Sequence, residues 1–74
     1  HIDTAVEEIE RRRRAAGREV EYKAFELYFM QGMEYAEIAE KLETGKNTPR
    51  RWVTAIINEL SVLLWGIDEE RARL

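Results

Sequence analysis

The chain has 74 residues, 36% of them charged, with a net charge of −3, one histidine and no cysteine. That length allows one domain, which buries roughly 60% of the surface of its unfolded chain and is marginally stable. Disulfides and thiolate metal sites are excluded, and His1 alone at a terminus builds no metal site, so neither metal nor cofactor is expected. No apolar run reaches the roughly 18–20 residues of a membrane span, and no secretory signal pattern is present. A cytoplasmic setting without a membrane partner is therefore the expectation. A start at His1 rather than Met is expected of a fragment or of a chain carrying a cloning remnant.

The first helix is predicted from Thr4 to about Ala16. Thr4 and Glu7 have capping-box spacing, and Ile2, Ala5, Val6 and Ile9 form a narrow apolar stripe. Arg11, Arg12, Arg13 and Arg14 follow as an unbroken basic run, and two readings of it stand. Glu7–Arg11, Glu8–Arg12 and Glu10–Arg14 are i, i+4 pairs with the acid N-terminal, the favourable orientation for a self-paired helix end. The alternative is that these four arginines contact phosphates. Ala15-Ala16-Gly17 ends or kinks the helix.

A second helix is predicted from about Arg18 to Gln31. Ala24, Phe25, Leu27, Tyr28, Phe29 and Met30 make it apolar over most of its circumference, which is a core role rather than a base-stacking platform. Gly32 suits the left-handed C-cap position.

The third helix runs from Met33 or Glu34 to Leu42. Tyr35, Ile38, Ala39 and Leu42 fall at i, i+3, i+4 and i+7 on one face, and Glu34, Glu37, Glu40, Lys41 and Glu43 take the other. Ala39 is small where two helices cross closely. Thr44, Gly45, Lys46 and Asn47 suit a turn. Pro49 then fits the first turn of a fourth helix, where a missing N–H costs nothing.

The fourth helix is predicted from about Pro49 to Trp65. Gly66 is expected to interrupt it, with Asp68 capping a last turn through Arg73. Val53, Ile57, Leu60, Leu64 and Ile67 recur at spacings of four, three, four and three, and Ile56 and Leu63 widen the stripe. That face either closes the core or forms the seam of a homodimer or higher oligomer, with Trp65 as an interface anchor. The coarse reading is a small all-α, four-helix domain over residues 1–74 that contains a helix-turn-helix and no wing.

In a helix-turn-helix the second helix enters the major groove of DNA. Here that helix opens with Arg50 and Arg51, near the positive end of its own dipole, where cations are mildly unfavourable until a polyanion binds. Charge is distributed to match. Residues 24–45 set one lysine against five glutamates, whereas residues 46–62 set Lys46, Arg50 and Arg51 against Glu59 alone. Arg bonds guanine through two atoms and Asn does the same to adenine, while Lys46, Thr48 and the Asn47 backbone equally suit phosphate. Trp52 either packs behind the helix or meets the DNA backbone. No Gly-rich phosphate loop and no Ser/His/Asp set is present, so no enzyme is expected.

The stretch from Leu27 to Val53 resembles the promoter-reading helix-turn-helix domain at the C-terminus of bacterial sigma factors. It is also similar to the RinA and ArpU families of phage transcriptional regulators. Leu27, Gly32, Tyr35, Glu37, Ile38, Ala39 and Leu42 match the pattern, Phe29 replaces its usual Tyr, and Thr48 falls six residues after Leu42 as the pattern asks. Glu34 departs from the usual Ser or Thr cap, Glu43 from the usual turn Gly, and Pro49 from an apolar residue of the recognition helix. The resemblance implies that Lys46, Asn47, Thr48, Arg50, Arg51 and Thr54 touch bases and phosphates of double-stranded DNA. It implies a transcription regulator, with RNA polymerase as a further partner. Two other readings stay open: a phage packaging subunit that assembles through the fourth helix, and a protein-binding module that docks Glu37 and Glu40 on polymerase.

Overall fold

The computed structural model describes the backbone of residues 2–73 and the side chains of residues 3–65. Four helices follow one another: α1 (Ile2–Ala15), α2 (Glu19–Phe29), α3 (Tyr35–Leu42) and α4 (Thr48–Arg73), with no strand among the described residues. The chain is therefore an all-α domain containing a helix-turn-helix, formed by α3, the turn at 43–47 and the start of α4. None of these helices is long and apolar enough to cross a membrane.

Several boundaries differ from the expectation. α1 is already helical at Ile2, so Thr4 lies inside the first turn rather than at a cap. α3 starts at Tyr35, with Glu34 as its N-cap in extended conformation. The Glu34 N–H donates to the Glu37 carboxylate at 3.1 Å, so a Glu three residues on does for this cap what a hydroxyl does elsewhere. α4 passes through Gly66 without a break. A single Gly costs a helix only about 1 kcal/mol relative to Ala, too little to end it. At about 1.5 Å per residue its 26 residues span roughly 39 Å, close to the 43 Å long dimension of the molecule.

The helix ends explain the turns. At the end of α1, Arg18 N–H donates to Arg13 C=O at 2.7 Å and Gly17 N–H to Arg14 C=O at 3.1 Å, with Gly17 at φ +72°. That is a Schellman ending. α3 ends the same way, Thr44 N–H to Ala39 C=O at 2.9 Å and Glu43 N–H to Glu40 C=O at 3.3 Å. The left-handed residue there is Glu43, at φ 56°, the single non-glycine with positive φ among the described residues.

The core joins all four helices: Ile9 from α1, Tyr22, Ala24, Phe25 and Leu27 from α2, Ile38 from α3, and Val53 and Ile56 from α4. Val6, Tyr28, Met33, Tyr35, Leu42, Trp52 and Leu60 pack against it. Trp52 therefore takes the packing role. α2 is less enclosed than its composition implied, since Phe29 and Met30 are exposed at its end. On α4 the buried positions are Pro49, Val53 and Ile56, a spacing of four and three that then meets Leu60. Val53 is thus a core residue and not part of an oligomer seam. Ile57, one step from Ile56 and so about 100° round the helix, is 39% exposed.

Candidate nucleic-acid interface

The basic run on α1 is consumed within the fold. Glu8 holds Arg11 at 2.6 Å and Arg12 at 2.7 Å, and Glu10 holds Arg14 at 2.7 Å. Arg11 thus takes Glu8, at i−3, in place of the expected Glu7. Arg13 is buried at 9% exposure, with Glu21 at 3.2 Å and Glu59 of α4 at 2.6 Å. It has no route to a phosphate and leaves the set of phosphate candidates. Arg12 also reaches Glu59 at 3.2 Å, and Arg18 holds Glu21 at 2.7 Å.

Proton affinities follow this pairing. Hydrogen bonds from Arg11 and Arg12 hold the Glu8 carboxyl below its ordinary value, and Glu8 in turn raises Arg12. Burial pushes Glu59 up, but the hydrogen bonds and charge of Arg13 and Arg12 outweigh it and the net direction is down.

The start of α4 contrasts with α1. Lys46, Asn47, Arg50, Arg51 and Thr54 are exposed, and Thr48 is half-buried. Asn47, Arg50, Arg51 and Thr54 fall at i, i+3, i+4 and i+7, so they share one side of the helix. Pro49 behind them is fully buried and anchors that turn to the body. Lys46, Arg50 and Arg51 form no ion pair among the described residues, whereas every arginine from Arg11 to Arg14, and Arg18, has a carboxylate partner.

Arg50 has a different neighbour. Its guanidinium carbon lies 5.5 Å from the centre of the Tyr35 ring. Tyr35 in turn stacks on Tyr28, with centroids 4.4 Å apart and planes within 4°. Tyr28 meets Phe29 edge-on at 5.0 Å, and Phe29 meets buried Phe25 at 5.0 Å. A ladder of rings thus runs from the core to the exposed cation. Burial, then the nearby Tyr28, raises the Tyr35 hydroxyl above its ordinary value, against a smaller opposing pull from Arg50. An open cleft of about 430 Å³ lies here, lined by Tyr28, Glu34, Tyr35, Lys46, Asn47 and Arg50.

Two features escaped the sequence reading. Tyr35 was assigned to the buried face alone, yet it also carries Arg50. Asn58 is exposed seven residues after Arg51, two turns further along the same side as Asn47, Arg51 and Thr54. The i+7 spacing was a signal available for Asn58. The remaining interface candidates of α4 divide. Leu60 and Leu64 are half-buried, Trp65 is 56% exposed, and the Ile67 side chain lies outside the described residues. Among the described residues no group of three or more His, Cys, Asp or Glu is placed to hold a metal ion.

In comparisons with protein-family models, curated proteins and solved structures, no match to this chain was found.

Proposed function

We propose that this chain is a DNA-binding transcription regulator of sigma-like helix-turn-helix type, which places the start of α4 in the major groove of double-stranded DNA. One observation carries the reading. The arginines of α1 are neutralised by glutamates, and the cations left without a carboxylate at the start of α4, Lys46, Arg50 and Arg51, sit together and exposed. A helix end that keeps unpaired cations against its own dipole is stabilised by an external anion. The exposed Asn47 and Thr54 beside them add hydrogen-bonding groups suited to base edges.

Fluorescence anisotropy with random-sequence duplex over a salt series tests this. Binding should weaken steeply with salt, and Arg50→Ala/Arg51→Ala should reduce the log–log slope by about 1.8, two phosphates at about 0.9 each. Binding that ignores salt, or none to any duplex at low salt, would count against the reading.

A second reading has its own support. Ile57, Val62, Leu63 and Trp65 leave apolar surface exposed along α4. That surface favours a subunit that assembles through α4, as a packaging protein does, with looser DNA contact. Sedimentation separates the two: many copies in one particle favour packaging, a monomer or dimer favours regulation.

A further inference from the structure

We infer that the adjacent arginines divide the work of DNA recognition: Arg50 is a positioning residue that grips a backbone phosphate in the Tyr28–Tyr35 cleft, and Arg51 reads a base. The inference rests on the DNA-binding reading above and deepens it.

Consecutive residues on a helix differ in direction by about 100°, so two neighbours cannot both face the floor of one groove. Fully buried Val53 marks the side of α4 that faces the core. Arg51 lies about 160° round the helix from Val53, and Arg50 only about 60°. Arg51 therefore projects away from the body, in line with Asn47, Thr54 and Asn58, all exposed. It is the residue that meets base edges when the helix is seated. Arg50 lies on the flank, where the wall of a groove and its phosphates pass.

The flank is prepared for that task. The Arg50 guanidinium sits 5.5 Å over Tyr35, whose ring is stacked on Tyr28 at 4.4 Å. Stacking uses the face of a guanidinium and leaves its N–H groups free in the plane. Those donors, together with Lys46 and Asn47, line the cleft of about 430 Å³. Two cations and an amide suit a phosphate diester. The carboxylate of Glu34 on the same cleft opposes the purine and pyrimidine acceptors equally and supplies no base preference. Arg51 has no ring or carboxylate to hold it among the described residues, so its fork is free to align with a guanine.

Selection from a random duplex pool, followed by anisotropy on the enriched sequence, tests the division. Wild type should enrich a motif. Arg51→Lys keeps the charge but loses the fork, and should flatten one guanine position by about tenfold or more. Arg50→Lys should keep the whole motif and bind within about threefold of wild type. Arg50→Ala and Tyr35→Leu should keep the motif while binding every sequence about fivefold more weakly, and Arg50→Ala should lower the salt slope by about 0.9. Tyr35→Phe, which keeps the ring, should resemble wild type. The inference is overturned if Arg51→Lys keeps the full motif, if Arg50→Lys loses a base, or if wild type binds tightly with no motif. Failure of wild type to bind any duplex at low salt overturns the DNA-binding reading itself, a distinct result.

Discussion

Nη1 of Arg13 lies 2.6 Å from Oε1 of Glu59, tying the end of α1 to the middle of α4 across 46 residues of sequence. Glu21 of α2 completes the junction at 3.2 Å. Three helices thus meet at one buried guanidinium, beside the apolar core that they share.

Removing that guanidinium should be costly, because it strands two partly buried carboxylates. Arg13→Ala is expected to destabilise by about 2–4 kcal/mol in urea denaturation, with Arg12 and Arg18 sparing part of the full cost of a broken buried pair. Arg11→Ala, at an exposed pair, should cost well under about 1 kcal/mol. Equal effects would show that Arg13 is not the junction.

The same junction sets a pH dependence. The folded Glu59 carboxyl sits below its ordinary value of 4.5, because Arg13 and Arg12 outweigh the effect of burial. A carboxylate depressed on folding contributes stability that is present above its unfolded value and lost as pH falls through the folded one. Stability should therefore hold down to about pH 5 and fall below it. Glu59→Gln should be less stable at pH 7 and lose less between pH 5 and 3. A parallel decline in both proteins would assign the acid sensitivity to other carboxylates.

Ile56 is fully buried and Ile57 is 39% exposed. Ile56→Ala should cost about 2–5 kcal/mol and Ile57→Ala about 1 kcal/mol or less, read by thermal or urea unfolding. The reverse order would place the other face of α4 against the core.

Glu43 holds a left-handed conformation at φ 56° that Gly17 holds at the corresponding end of α1. A side chain there costs roughly 1–2 kcal/mol, partly offset by the greater unfolded freedom of glycine. Glu43→Gly should stabilise by about 0.5–1 kcal/mol, and Gly17→Ala should destabilise by about 1 kcal/mol. No atom lies within 4 Å of the Cβ that Gly17→Ala adds, so its effect isolates the backbone term. A neutral result for both would show that the chain ends relax out of this geometry.

Local spacing made much of this molecule legible. Tyr35, Ile38, Ala39 and Leu42 announce the α3 face through their period, Gly17 and Gly32 mark left-handed ends, and Pro49 marks the start of α4, because each depends on atoms within one or two turns. The four-helix class follows from these signals in order. So does the placement of Lys46, Asn47, Arg50, Arg51 and Thr54 at a helix start, since the turn before them is local too.

Other features needed the assembled fold. Arg13 looks like Arg11, Arg12 and Arg14 in sequence, and is distinguished only by carboxylates 8 and 46 residues away. Ile56 and Ile57 are both apolar, and the heptad-like run through Val53 and Ile57 matched a seam as well as a core. Only the position of the other three helices decided that Ile56 points inward and that Val53 belongs to the body. The same holds for Tyr35, whose spacing predicts burial but not the cation of α4 above its ring. Periodicity describes a helix about its own axis; which side of that axis another helix occupies depends on how all the apolar faces are buried together.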